Sequence, residues 1–289
     1  MIYGKIGLMR KKLKPIVVIG FFLTFFAIIF ISGVYGNRAT AGKETTITQS
    51  NTNPTSIETI PSSSYYITNA LEMKPIIDVS AWQRPSEIDY DTLSQNISGA
   101  IVRIQSGSHT KNENTATDEN GLDKAFDTHI KEFQARNIPV AVYAYVTGNS
   151  IDSMKEEARS FYEAANKYNP TFYWLDVEEH TMDDMNGGVE AFRQELESLG
   201  AKNIGIYVGT YFMEDHSINV DKFDAVWIPT YGVDSGYYNA APNTDLDYDL
   251  HQYTSRGYVN GFENYLDLNI ITTLKDPNKV YRKLFTTPE

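Results

Sequence analysis

Two acidic residues close an apolar run in the middle of the chain. The run 172–177 carries aromatic and branched side chains without Gly or Pro, which indicates a buried strand, and Asp176 and Glu178 lie at its end. Because side chains alternate along a strand, both carboxyls should point to the same side, with Cα atoms about 6.5–7 Å apart. A proton donor beside an ionised carboxylate is what cleavage of a glycosidic bond requires. The other interpretation is a strand that simply runs out into a solvated acidic loop.

Two further apolar runs carry an acid. Asp78 lies in Ile-Ile-Asp-Val-Ser and Asp267 in Tyr-Leu-Asp-Leu-Asn, and in each run the face opposite the acid is aliphatic. A single Asp in a strand is more often a satisfied structural group than a functional one. Four acids that converge on one site would instead form a strong catalytic constellation.

The runs that carry these acids belong to a regular series. Apolar runs of strand character cover 76–80, 99–105, 138–146, 172–177, 204–208, 225–229, 248–253 and 265–270. Helical periodicity over 122–133, 151–165 and 189–199, with Gly200 at a helix end, separates the earlier ones. Strands alternating with helices predict a parallel sheet, and eight strands predict an α/β fold of the (β/α)8-barrel type. Since 232–247 reads as a loop, we expect an irregular barrel with fewer helices than strands, and functional residues at the C-terminal strand ends.

Composition excludes several function classes. The chain has 289 residues and a formal net charge of −12, which argues against nucleic acid as a partner because phosphate binding needs basic patches. The absence of cysteine excludes disulfides, thiolate nucleophiles and Cys-based zinc sites. The five histidines show no zinc spacing, and neither a Gly-x-Ser-x-Gly motif nor a phosphate loop occurs. The sequence therefore shows no motif of a zinc enzyme, a serine esterase or a phosphate-loop protein.

The N-terminal part has the pattern of a membrane anchor. A short basic segment, 1–15, precedes the uncharged apolar run 16–34, whose nineteen residues span about 28 Å as a helix. The basic side should stay in the cytoplasm, which predicts a single-pass membrane protein with its catalytic domain outside. Ala39-Thr40-Ala41 also fits a signal-peptidase site, so a cleaved, secreted form stays open. The Ser/Thr-rich segment 35–72 reads as a flexible, disordered linker, and 73–289 as the barrel domain.

Several motifs in the predicted strands together resemble a known family over residues 74–271. These are Asp78-Val79-Ser80-Ala81-Trp82-Gln83, Asp176-Val177-Glu178, Trp227-Ile228-Pro229 with Tyr231, Gln252-Tyr253-Thr254-Ser255-Arg256-Gly257, and Asp267-Leu268-Asn269. In order and spacing they resemble glycoside hydrolase family 25, the N-acetylmuramidase-type lysozymes. The resemblance implies an irregular β/α barrel that hydrolyses the β-1,4 bond between N-acetylmuramic acid and N-acetylglucosamine in peptidoglycan glycan strands. It implies no cofactor.

The resemblance also implies residue roles. Glu178 matches the proton donor and Asp176 its partner carboxylate, whereas Asp78 and Asp267 match two further acids around the catalytic pocket. Glu178 must hold a proton, and Asp176 should stay ionised, either as nucleophile or to orient the acetamido group of the substrate. Six residues are candidates to line a glycan groove: Tyr143, Tyr145, Tyr207, Trp227, Tyr231 and Gln252. For each aromatic residue among them, core packing is the alternative.

This chain departs from the family pattern in two places. Tyr143-Ala144-Tyr145 stands where Tyr-His-Phe-like residues are usual, and His251 where Trp is common, so the preference for substrate is open. A non-catalytic peptidoglycan-binding module on the same barrel is the alternative function. We expect the protein to be a monomer.

Overall fold

The chain forms a closed barrel in which the strands follow one another in sequence order. The structure, a computed structural model, describes residues 66, 69–107 and 113–287. Within these residues the strands are β1 Ile76–Val79, β2 Gly99–Gln105, β3 Val140–Tyr145, β4 Tyr173–Val177, β5 Ile204–Val208, β6 Ala225–Pro229, β7 Leu250–Val259 and β8 Phe262–Ile271. The α-helices are α1 Tyr90–Ser94, α2 Phe126–Ala135, α3 Ile151–Ala165, α4 Met185–Ser198, α5 Thr210–Asp215 and α6 Pro277–Phe285. Two 3₁₀ turns cover Pro85–Glu87 and Asn166–Tyr168. The predicted irregular eight-stranded barrel with fewer helices is confirmed.

The last strand differs from the predicted parallel arrangement. Strands β1 to β7 pair in parallel with their neighbours, but β8 is antiparallel to both β7 and β1. Only Asn260 and Gly261 connect β7 to β8, and Gly261 adopts a φ of 106° that favours glycine. A connection this short can join only antiparallel strands, since a parallel pair needs a long crossover.

Strand bounds were predicted best where the strand is buried on both faces. The predicted ranges of β2, β5 and β6 are confirmed at both ends. Strands β7 and β8 extend well beyond the predicted 248–253 and 265–270. The outer half of β7 alternates between buried and exposed residues, and that of β8 has three consecutive exposed residues, 263–265, so neither contains a continuous apolar run.

Side-chain alternation divides the core into two layers. Along β4, Trp174 points into the barrel with Trp227, whereas Leu175 points outward against the helices. Ser150 caps the start of the longest helix, α3, by forming a capping box with Ser153, and α3 buries Phe161 in the outer layer. Helices packed on the outside therefore hold the strands, and the inside of the barrel carries the aromatic floor of a site.

The predicted N-terminal features lie outside the described residues. These are the basic segment 1–15, the apolar run 16–34, the Ala39-Thr40-Ala41 site and nearly all of the linker 35–72. In the part of the chain that the structure describes, no helix has both the length and the apolar character needed to cross a membrane.

Candidate active site

A cavity of about 230 Å³ opens on the inner face of the barrel. Its walls, here called the pocket, are Asp78, Tyr143, Asp176, Glu178, Tyr207, Trp227, Tyr231, Gln252 and Asp267. All four acids named from the sequence therefore meet in one place, although they come from β1, from β4 and its end, and from β8. So do five of the six residues predicted to line a groove.

The sixth predicted lining residue, Tyr145, lies beside the pocket. Its hydroxyl donates to Glu179 Oε2 over 3.2 Å, and its pKa rises mainly through burial and then through Glu178. Trp227 forms part of the pocket floor, with only 2% of its surface exposed. Its ring packs edge-on against Trp174 and Tyr207, so most of its area belongs to the core.

The two acids of β4 occupy different depths. Asp176 is 8% exposed, whereas Glu178, just after the strand, is exposed at the rim. Both line the pocket, as the alternation of side chains predicts. Among the described residues, Asp176 Oδ1 has no hydrogen-bond partner. A buried carboxylate oxygen that faces a cavity without a partner is suited to contact a substrate.

Two amide side chains hold Asp78. Its Oδ2 accepts hydrogen bonds from Gln252 Nε2 over 2.9 Å and from Asn269 Nδ2 over 2.8 Å. Both contacts lower the pKa of Asp78, but burial raises it more, to about 6. Asn269 was not predicted as a site residue. The signal was present, because a polar amide two residues beyond Asp267 on the same strand face needs a buried partner.

Hydrogen bonds to the side-chain oxygens of Asn269 and Gln252 set the orientation of both amides. Trp227 Nε1 donates to Asn269 Oδ1 over 2.8 Å, and an indole N–H can only donate. The Asn269 oxygen must therefore face Trp227, which turns its amino group toward Asp78. In the same way, the hydroxyls of Tyr207 and Tyr231 donate to Gln252 Oε1 over 2.9 and 2.6 Å. Aromatic pocket residues thus orient the amides that hold Asp78.

The pKa of each of the four carboxyls is raised. Burial is the largest cause in every case. Burial, followed by the charges of Asp78, Asp234 and Glu178, raises the pKa of Asp267 to about 8. The pKa of Glu178 rises through burial of its carboxyl and through Glu179, although the side chain reaches solvent at the rim. The pocket therefore retains protons at pH values where free carboxyls have lost them.

Asp176 differs from expectation. We expected it to stay ionised beside a protonated Glu178, but its pKa also rises well above the ordinary value. The causes are burial and then the charges of Glu178 and Asp78, which the nearby Arg103 only partly offsets. Arg103 is itself paired with the buried Asp123 over 2.9 Å, so its charge is shared.

A metal site is not apparent in the pocket or elsewhere in the described ranges. Within residues 69–107 and 113–287, no group of three or more His, Cys, Asp or Glu side chains is arranged to hold a metal ion.

Comparisons with known proteins identify the family of the chain. A sequence model described as glycosyl hydrolases family 25 matches residues 77–262. One solved structure with high similarity is GHIP, a glycosyl hydrolase 25 and virulence factor of Streptococcus pneumoniae that participates in host cell invasion. Its sequence is 58% identical to this chain, and the two structures superpose with a TM-score of 0.73. The match covers 78% of this chain and 98% of that one. A comparison with curated protein sequences found no match.

Two more distant structures share the fold. The first is the catalytic domain of endolysin ply40 from bacteriophage P40 of Listeria monocytogenes. Its sequence is 25% identical to this chain, the TM-score is 0.62, and the match covers 72% of this chain and 97% of the ply40 domain. The second is the modular autolysin LytC of Streptococcus pneumoniae, which was solved with a synthetic peptidoglycan ligand. Its sequence is 20% identical to this chain, the TM-score is 0.56, and the match covers 69% of this chain and 46% of LytC. Since the family match spans well over half of the sequence and includes the pocket acids of β1 and β4, the chain belongs to glycoside hydrolase family 25 and is a glycoside hydrolase.

Proposed function

We propose that this protein is a lysozyme-type N-acetylmuramidase that hydrolyses the β-1,4 bond between N-acetylmuramic acid and N-acetylglucosamine in peptidoglycan. The observation that carries the proposal is the convergence of Asp78, Asp176, Glu178 and Asp267 on one open cavity. Family membership supports glycosidic chemistry, and the related LytC was solved with a synthetic peptidoglycan ligand.

Glu178 is the general acid in this proposal. Its position at the rim lets a glycosidic oxygen approach, and its raised pKa keeps it protonated to higher pH than a free Glu. As the bond between the muramic acid C1 and the glucosamine O4 breaks, Glu178 gives its proton to O4. Water then supplies the hydroxyl at C1 and restores the proton.

Asp176 stabilises the positive charge that develops at C1. It acts either as a nucleophile that forms a glycosyl–enzyme ester or as the group that orients the substrate's acetamido oxygen for attack. Both routes need an ionised carboxylate. The developing positive charge of the sugar favours that form, which compensates for the raised pKa of the buried Asp176. Its unpartnered Oδ1 supports direct contact with the sugar.

The remaining pocket residues position the substrate. Asp78 and Asp267 hold sugar hydroxyl or amide groups and set the charge of the site. Tyr143, Tyr207 and Tyr231 supply ring edges and hydroxyls around the sugar, and Trp227 supports them from the floor. Gln252 connects the tyrosine hydroxyls to Asp78. Tyr145 lies beside the pocket, where its hydroxyl donates to Glu179.

The location outside the membrane is also a proposal. It rests on the apolar run 16–34 with basic residues before it and a polar linker behind it. The intact mass of the protein from the membrane fraction tests it. A full-length mass supports a retained anchor, whereas an N-terminus at Gly42 shows cleavage after Ala39-Thr40-Ala41 and a secreted protein.

Release of reducing sugar from purified peptidoglycan tests the function. We expect the wild type to release it and Glu178→Gln to lose at least about 100-fold in rate while keeping its fold and its affinity for the wall. Glu179→Gln, which changes the neighbouring exposed acid, is the matched control and should retain most activity. A wild-type protein that binds the wall without releasing sugar is instead the non-catalytic binding module, and near-normal lysis by Glu178→Gln rejects the assignment of the acid.

A further inference from the structure

The inner face of strand β8 leads from the pocket floor to the protein surface. Asn269, Asp267 and Tyr265 alternate onto this face, two residues apart. Asn269 is 0% exposed, Asp267 is partly buried, and Tyr265 is 50% exposed. Since two strand steps span about 7 Å, Tyr265 lies within about one sugar length of the carboxyl-bearing Asp267.

A second tyrosine completes an aromatic surface at this point. Tyr258 of β7 is 66% exposed, and its ring centroid lies 4.9 Å from that of Tyr265 at an interplanar angle of 57°. We call these two residues the tyrosine pair. Because each ring restrains the other, the pair is held in place before any ligand arrives, which reduces the entropy lost on binding.

A cleft adjoins the tyrosine pair. It has a volume of about 620 Å³ and is lined on the hairpin side by residues that include Tyr258, Asn260 and Glu263. Asp89 and Thr92, at the start of α1, also line it. Exposed rings next to amide, hydroxyl and carboxylate groups offer both kinds of contact that a sugar makes: stacking on its C–H face and hydrogen bonds to its hydroxyls.

We propose that the tyrosine pair binds a sugar residue of the glycan strand outside the catalytic pocket, so that the enzyme prefers long strands to short fragments. This inference rests on the proposed function, because it requires that the glycan strand cleaved in the pocket also extends across the β7–β8 hairpin. The ligand class is a β-1,4-linked amino-sugar glycan. A purely structural role is the competing explanation, since cross-strand aromatic pairs also stabilise hairpins.

Kinetics on two substrates separate these explanations. The full-length chain carrying Tyr258→Ala and Tyr265→Ala is compared with the wild type on purified peptidoglycan and on a soluble disaccharide of the same glycan, which fills only the two positions flanking the cleaved bond. We expect KM on the polymer to rise about tenfold, as for truncation of an aromatic contact, with kcat and the disaccharide kinetics unchanged. Tyr258→Phe with Tyr265→Phe keeps both ring faces and should behave as wild type. Tyr237→Ala, a 78% exposed tyrosine on the β6–β7 loop, is the matched control.

A binding measurement makes the outcome independent of turnover. In the Glu178→Gln background, the alanine pair should weaken binding of long glycan strands about tenfold and leave disaccharide binding unchanged. Equal losses on long and short ligands, or no loss on either, overturn the inference. If the wild type binds glycan through the tyrosine pair but cleaves nothing, the proposed function fails and the inference stands. Should the double variant unfold at a lower temperature, Tyr258→Ala alone repeats the comparison.

Discussion

Asp78 and Asp267 are direct partners across the antiparallel β1–β8 pair. The two acids differ in their hydrogen bonds: Gln252 and Asn269 donate to Asp78, whereas burial and neighbouring negative charges dominate at Asp267. Donors stabilise a carboxylate, so the pKa of Asp78 is about 6 and that of Asp267 about 8. The proton of this pair therefore resides mainly on Asp267 at neutral pH.

Folding stability should fall as pH rises through the range in which Asp267 stays protonated. The pKa of Asp267 is about 8 in the folded protein, against an ordinary 3.8. Between these values the folded state holds a proton that the unfolded chain has lost, which lowers stability by up to about 1.4 kcal/mol for each pH unit. Asp267→Asn mimics the protonated form, so we expect its unfolding free energy from urea titrations to vary less with pH. If the unfolding free energies of the wild type and the variant change equally with pH between pH 4 and 8, Asp267 does not hold the proton in the folded state.

Trp227→Phe should disturb the site through Asn269. The substitution keeps the ring in the core but removes the N–H that fixes the Asn269 amide, at a cost in stability of about 1–3 kcal/mol. A freed amide no longer has to donate to Asp78, whose pKa then rises. We expect carbon NMR of the Asp78 carboxyl across a pH series to show a higher pKa in Trp227→Phe, and Asn269→Ala to raise it in the same direction. An unchanged titration of Asp78 indicates a purely structural tryptophan.

Glu179→Gln should lower the pKa of the general acid. After burial, the Glu179 charge is the main cause that raises the pKa of Glu178. Without the Glu179 charge, Glu178 loses its proton at a lower pH, so the alkaline limb of kcat/KM should move to lower pH. We expect a shift of about a few tenths of a pH unit, because both groups reach solvent and salt screens them. Glu263→Gln, on the β7–β8 hairpin, should leave the limb unchanged. A shift toward higher pH is incompatible with this assignment.

Moderate salt should increase activity on cell walls. Residues 1–72 hold seven Lys/Arg and three Asp/Glu, so residues 73–289 hold 25 − 7 = 18 basic and 37 − 3 = 34 acidic residues, a net charge of −16. An anionic wall repels such a domain, and salt screens the repulsion. The rate of turbidity loss of a wall suspension should rise from low to physiological ionic strength. A steady decrease on adding salt rules out repulsion as the limiting factor.

Much of the site was predictable because alternation along a strand is a local rule. Asp176 and Glu178 lie two residues apart after an apolar run, so their shared side follows from backbone geometry alone. The aliphatic residues beside Asp78 and Asp267 likewise indicated which face packs under helices, and both acids line the pocket.

The antiparallel closure by β8 was missed although its signal is local. Asn260-Gly261 between Val259 and Phe262 is a hairpin signal that lies between the predicted runs 248–253 and 265–270. Other features depend on contacts between distant segments. The donors on Asp78 come from positions 252 and 269, which only the closed barrel brings to β1. The raised pKa of Asp176 reflects burial among charges from three strands, which no local pattern displays.

Mass analysis of the fragments released from purified peptidoglycan is the most direct test of the proposed reaction. After reduction with borohydride, fragments cut by the full-length wild type should end in the alcohol of N-acetylmuramic acid, and Glu178→Gln should release none. Fragments that end in reduced N-acetylglucosamine, or equal release by both proteins, contradict a muramidase in which Glu178 donates the proton.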